Sequence, residues 1–347
     1  MRPNSAMAPA QPPNKKWYAA FSQYETPCHR KAGWQLLNTF APYLALWVLM
    51  VFAVRQGYPY WITLVLTAGA TGFLIRIFIF FHDCCHGSFF ASDRANRILG
   101  TVAGILTLTS YDDWRRAHAG HHATAGDLDR RGIGDVWTMT VEEYLAAPAL
   151  KRLAYRCLRH PVVMFGLVPA GLSLICHRFP HSGAGRRERR SVLVTNAAIA
   201  AILAVSSLTI GVGTFLAIQL PITIMAGTLG VWMFYVQHQF EGVYWARHQD
   251  WDPMRAALEG SSYYRLPPVL RWLTGNIGLH HIHHARPGIP NYNLQQCHDA
   301  IQPVQAVEPL TIRGSLRSLR MNLWDEREGR LVSFRSIKDR QARAASR

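Results

Sequence analysis

Apolar and polar residues are sharply segregated along this chain. Residues 36–54, 60–81, 192–210 and 215–236 form four apolar runs of 19–22 residues, broken near the start of the first only by Asn38 and Thr39. As helices, such runs extend roughly 30 Å, the thickness of a bilayer's hydrocarbon core. Short turns, Arg55-Gln56-Gly57-Tyr58-Pro59 and Gly211-Val212-Gly213-Thr214, join the runs pairwise. The pattern predicts an all-α integral membrane protein with four transmembrane helices arranged as two hairpins. Pro221 should kink the fourth span, and Arg76, near the end of the second, should snorkel. Two shorter apolar stretches, 98–108 and 162–176, predict interfacial or re-entrant helices. Residues 1–34 read as a cytosolic N-terminal segment and 35–327 as a single membrane domain. Residues 328–347, charged and without apolar periodicity, read as a basic, mobile tail.

The polar segments are strongly biased in charge. The loop between the second and third runs carries Arg94, Arg97, Arg115, Arg116, Arg130, Arg131, Lys151, Arg152 and the cluster 186–190, whereas the inter-run turns carry only Arg55. Positive residues stay inside, so both termini and the large loop are expected on the cytosolic side. The net charge of +16, from 37 Lys+Arg against 21 Asp+Glu, would suggest nucleic acid in a soluble protein. Here no nucleic-acid module accompanies it, and the basic residues flank apolar runs, so anionic membrane lipids are the expected partner. Six cysteines show no CxxC spacing, which suits a reducing, cytosol-facing environment. The first thirty-odd residues lack the apolar core of a signal peptide, so insertion is expected to use the first span.

The chemistry is concentrated in histidines. His82 and His86 form HxxxH at the end of the second run. His118, His121 and His122 form HxxHH, His280, His283 and His284 form a second HxxHH, and His238 follows the fourth run. On a helix, residues three and four apart share a face, so each cluster can aim two or three imidazoles at one point. Imidazole is a common ligand of first-row metals. Nine such residues are too many for one ion and suit two. A lone HxxxH at a membrane edge is more often an interfacial pair, but two HxxHH boxes and a fitting topology favour metal. Imidazole alone leaves zinc, copper, iron and nickel open; nine histidines exceed zinc's usual four-coordinate demand. Bis-histidine haem would need histidines deep within the spans, and the cysteine spacing fits neither copper nor iron–sulfur ligation. His281 interrupts the third box and is expected to face outward or to support a ligand.

These boxes, in HDCCHGSFF, RRAHAGHHATAGDLD, YVQHQFEGVYW and HHIHHARPGIPNYNL with four spans between them, resemble the integral-membrane fatty acid desaturase family. The resemblance extends from about Gln35 to Cys297. Ile289-Pro290-Asn291-Tyr292 after the third box looks most like the omega-6/Δ12-type acyl-lipid branch; front-end desaturases have Gln at the first position of that box, where this chain has His280. The resemblance implies a di-iron centre held by His82, His86, His118, His121, His122, His238, His280, His283 and His284. It implies O2 as co-substrate and removal of two hydrogens from an unactivated acyl chain of a fatty acyl lipid. No electron-donor domain is fused, so electrons would come from an external donor such as a ferredoxin-like protein, docked with the headgroups on the basic face. Metal-bound imidazoles need acceptors for their outer nitrogen. Among nearby acids Asp83 and Asp127 are the foremost candidates, with Asp112, Asp113, Asp129, Asp135, Glu241 and Asp250 also near; Asn276 and Gln237 could orient ligands similarly. Trp114, Trp232, Tyr244 and Trp245 are candidates for an acyl channel or for interfacial anchors, and Cys84 and Cys85 for simple packing. A hydroxylase or ketolase of a lipid, alkane or carotenoid could use the same boxes. A metal transporter would need histidines or acids within the spans along a pathway, and these spans have nearly none.

Overall fold

The computed structural model describes residues 19–132 and 134–345. It is helical, with two short two-stranded ladders. Four helices are long and apolar enough to cross a membrane: α1 (His29–Arg55), α2 (Tyr60–His86), and the pair Arg186–Thr209 and Val212–His238. Each extends beyond its apolar run at the end carrying the polar chemistry, so the second and fourth deliver His82, His86 and His238 as part of the helix itself. Half of the most apolar stretch of α2 is buried (50%), against 17–22% in the other three, so α2 is the centre of the bundle. Exposed Leu44, Val48, Val65, Val205 and Leu208 form the outward apolar face that lipid would cover.

Between the two hairpins lie α3 (Asp93–Leu106) and α4 (Tyr111–Thr124). Helix α2 ends at Gly87 in the left-handed conformation (φ 72°), where the Gly87 amide donates to the Asp83 and Cys84 carbonyls. Gly100 of α3 lets Tyr111 approach: a Cβ there would stand 2.3 Å from the Tyr111 ring. Tyr111 in turn donates its hydroxyl to the Cys84 carbonyl at 2.7 Å, fixing the start of α4 against the end of α2. The 162–176 stretch is a π turn (Val163–Leu167) followed by a short helix (Val168–Leu174). With the preceding helix Ala149–Leu158 it forms a pair bent by 63°, as a broken span or re-entrant loop would be. The second transmembrane pair follows as α5 (Arg186–Thr209) and α6 (Val212–His238). Then come α7 (His280–Ala285), which carries the third box, and α8 (Asn291–Ala300).

Two expectations are corrected. Arg76 does not snorkel; it is 2% exposed. Its Nε donates to Thr39 Oγ1 at 3.0 Å, its Nη1 to the Trp272 carbonyl, and its guanidinium lies 4.1 Å from the Trp272 ring centre. Polar groups of α1 and of the 268–273 helix hold the guanidinium against the protein. Residues 328–345 are also built into the fold. β1 (Leu323–Asp325) pairs antiparallel with β2 (Arg330–Val332), and a helix follows over Phe334–Ala345. Val332 and Ile337 are buried against Met139, Tyr144 and Tyr155, and Leu331 against Trp245 and Trp324.

That hairpin is tied to the bundle by Arg159, 4% exposed, which reaches the Asn322 carbonyl at 3.0 Å and Gln239 Oε1 at 3.1 Å. Arg159→Met leaves the buried Gln239 Oε1 without its donor, at about 1–3 kcal/mol, while the Asn322 carbonyl keeps the Tyr155 hydroxyl. The unfolding midpoint of the detergent-solubilised protein should fall accordingly, and an unchanged midpoint would show that Arg159 holds nothing together.

Candidate metal centre

Four elements meet above the C-terminal end of α2. α2 contributes His82 and His86, one helical turn apart; α4 contributes His118, His121 and His122; α6 ends with His238; α7 contributes His280, His283 and His284. They sort into two sets: His82, His86, His118, His122 and His283 in one, and His121, His238, His280 and His284 in the other. Within each set one ring nitrogen from each histidine lies within 4.8 Å of all the others, close enough that each set could hold a metal ion. The two sets share a wall. His122 of the first stacks on His284 of the second, with centroids 4.1 Å apart and planes 18° apart. All nine histidines that the sequence singled out are therefore brought together, and each HxxHH box is split between the sets.

The donor chemistry tests whether a cation fits. His121 Nδ1 lies 2.5 Å from Asp135 Oδ1, and His238 Nδ1 lies 3.3 Å from the Gly260 carbonyl. Both partners accept only, so both rings carry their proton on Nδ1. Their Nε2 atoms, 3.2 Å apart, then present lone pairs to each other. His280 Nε2 is a further 3.0 Å from His238 Nε2 and 3.1 Å from His284 Nε2. One proton on His280 cannot serve all of these contacts. Nitrogens bound to a shared first-row ion at roughly 2.0–2.1 Å stand about 3.0–3.4 Å apart, and a cation would turn each repulsion into a bond. The first set has the same spacing, with His122 Nε2 3.1 Å from both His118 Nε2 and His283 Nε2. Burial, reinforced by the neighbouring imidazoles, pushes His118, His122, His280, His283 and His284 well below the usual histidine range. They are held neutral, the form that binds metal.

Supporting contacts divide the sequence candidates. Asp83 takes the expected place: its Oδ1 is 3.3 Å from His82 Nδ1, and its Oδ2 accepts from the Asn291 amide (2.7 Å) and side chain (2.8 Å). Asp127 does not reach the histidines. Leu128 donates to the Ala246 carbonyl and Ala246 to that of Gly126, which pulls Asp127 onto Arg130 (2.6 Å) and His248 (2.8 Å). Asn276 is one residue too remote: its amide donates to the Asn291 carbonyl, so it braces the residue that braces Asp83. Gln237 donates to the Ile277 carbonyl instead. His281 is fully buried rather than outward, its Nε2 3.2 Å from the Val304 carbonyl. Cys84 and Cys85 are buried packing residues; the Cys85 thiol approaches only the Tyr111 carbonyl, at 3.9 Å.

Of the four aromatic residues proposed for an acyl channel, Trp114 alone touches a site histidine, stacking on His118 at 4.2 Å. Trp232 packs on Phe165, Trp245 stacks on Trp324, and the Tyr244 hydroxyl donates to the Asp250 carbonyl. Phe234, which the sequence reading passed over, lies 5.1 Å from His121 and 5.2 Å from His238. Its position four residues before His238 was the available signal, as for Trp114 before His118.

These features define a four-span helical membrane protein with two adjoining histidine sets at one end of its bundle. Its sequence matches the family model described as fatty acid desaturase over residues 57–314. The chain is 49% identical over 323 residues to a fatty acid desaturase of Bacillus subtilis (strain 168), covering 93% of this chain and 90% of that protein. It is 28% identical over 248 residues to an sn-1 oleoyl-lipid 12-desaturase of Synechocystis sp., covering 66% and 65% of the two chains. An sn-1 acyl-lipid omega-3 desaturase (ferredoxin) of the same organism is 27% identical over 274 residues, covering 76% and 70%. The chain belongs to the fatty acid desaturase family, and it is a membrane desaturase, an oxidoreductase of lipid metabolism.

Proposed function

We propose that this protein introduces a double bond into a lipid-linked fatty acyl chain in the omega-6/Δ12 manner. In this reading His82, His86, His118, His122 and His283 hold one iron, and His121, His238, His280 and His284 hold the other. The observation that carries it is the pair of adjoining histidine sets, with Nε2 atoms 3.0–3.2 Å apart. When bound, the two irons supply the O2-dependent oxidising power that an unactivated methylene demands, since it offers no acidic proton and no leaving group.

The protein's own residues orient and exclude. Asp83, Asp135 and the Gly260 carbonyl fix the ring orientation of His82, His121 and His238. Trp114, Phe81 and Phe234 present an apolar face beside the histidines, which suits an alkyl chain and keeps water away. The reducing electrons come from a separate, acidic donor of the ferredoxin kind, with both termini and the active site on the cytosolic side. The positive-inside pattern supports that side. The exposed arginines at the start of α5 supply a basic face for the donor, and relatives carry ferredoxin in their names.

Expression in a host that makes oleoyl but no polyunsaturated lipids tests the reading. Mass spectrometry with double-bond localisation should find a second double bond beyond the first. Hydroxylated or keto products would overturn desaturation; a double bond at the omega-3 position would overturn the omega-6/Δ12 assignment.

A further inference from the structure

A cavity of about 380 Å³ opens at the same end of the bundle between α1, α2 and the 268–276 segment. It is distinct from the histidine sets: none of its lining residues belongs to them. Lys31, Arg76 and Arg271 line it, and no acid does. Each cation is steadied by a neutral partner. Lys31 Nζ donates to Asn293 Oδ1 at 2.9 Å, Arg271 Nη1 to Gln295 Oε1 at 3.0 Å, and Arg76 Nε to Thr39 Oγ1 at 3.0 Å. Three positive charges therefore converge on one cavity without a counter-ion.

The cavity also contains an unanswered acceptor. Gln35 is 8% exposed and spends its amide nitrogen on Asn291 Oδ1 at 2.9 Å. Its Oε1 is buried and has no hydrogen-bond partner. Leaving a buried acceptor unpaired costs about 1–3 kcal/mol, so a ligand bringing a hydroxyl donor is favoured there. Trp34 and Trp272, 64% and 39% exposed, flank the opening, as tryptophans do at the level of lipid headgroups.

We propose that this cavity binds the headgroup of a hydroxyl-bearing anionic phospholipid. The phosphate faces Lys31, Arg76 and Arg271, a headgroup hydroxyl donates to Gln35 Oε1, and the acyl chains lie along the exposed apolar face of α1. The site is also wired to the metal centre. Gln35 shares Asn291 with Asp83, and Asp83 faces His82, so three hydrogen bonds separate Gln35, and four a bound headgroup, from a histidine of the first set.

Native mass spectrometry of the full, metal-loaded chain tests this without reference to turnover. The protein is extracted from vesicles of phosphatidylglycerol and phosphatidylcholine in equal parts. The wild type should retain phosphatidylglycerol selectively. Lys31→Ala/Arg271→Ala, at exposed positions that the fold tolerates, should retain it roughly 10–30-fold less well. Arg317→Ala/Arg327→Ala removes the same charge from exposed sites elsewhere and should retain it as the wild type does. Equal loss in both double variants, or none in the first, overturns the site. Preferential retention of phosphatidylcholine overturns the anionic assignment. Displacement of the lipid by millimolar inorganic phosphate alone would show that the cavity takes a free anion and overturn the phospholipid.

Discussion

Alanine at His283 is expected to abolish desaturation while leaving the four-span fold in place. His283 stands at the crossing of three elements. Its Nε2 is 3.1 Å from that of His122, and its ring is 4.4 Å from His82 and 4.8 Å from His86. Removing it takes one of five nitrogens from its set and opens the wall toward His280, 5.4 Å away. Loss of a partner that only supports a ligand brings roughly a 10–100-fold effect; loss of the nitrogen itself should exceed this, at about 10³-fold or more. His281→Gln is the matched control. It lies in the same short helix and is equally buried, yet it faces Val304 and belongs to neither set. That variant should lose thermal stability but keep its metal. The measurements are metal per chain after purification and unsaturated product in the host's lipids. Wild-type turnover by the His283 variant would remove it from the ligand set.

The histidines could be found from sequence because helical spacing alone aims them. Positions i, i+3 and i+4 share a face whatever the tertiary contacts are. The apolar runs announced the spans for a similar reason, being set by bilayer thickness. What the sequence could not disclose was which acid meets which ring. Asp83, Asp127 and Asp135 all lie near a box, but Asp127 is taken away by pairing of residues 126–128 with 246, and Asp135 is brought back to His121 after the Arg130-Arg131 turn. Neither path follows from periodicity. Arg76 was misjudged because its partners, Thr39 and the Trp272 carbonyl, come from 37 and 196 residues away. The segment after residue 328 misled for another reason. Among its described residues only Leu331, Val332 and Ile337 are buried among charged neighbours, too few to register as a pattern. Asp325 compensates by gathering Arg340 at 2.6 Å and the Arg327 and Glu328 amides. Those contacts hold its carboxyl below the usual aspartate range despite burial.

Asp135→Asn should empty one histidine set and spare the other. The carboxylate contacts His121 at 2.5 Å and also receives the Gly132 amide at 3.3 Å, so it is already positioned before any metal arrives. An acceptor there keeps the His121 proton on Nδ1 and its lone pair on Nε2, aimed at His238. Asparagine can turn its amide nitrogen toward the ring. His121 then has reason to move its proton to Nε2, where it blocks the metal-binding lone pair. The affinity of the His121, His238, His280 and His284 set should drop about 10–100-fold. The set containing His118 and His283 has its own partner, Asp83, and should be unaffected. Under limiting metal the content per chain should approach half of the wild-type value, with turnover lost in parallel. Asp135→Glu, which keeps the charge and lengthens the reach, should recover part of both. If metal content stays at the wild-type level while turnover falls, Asp135 acts on something other than the orientation of His121.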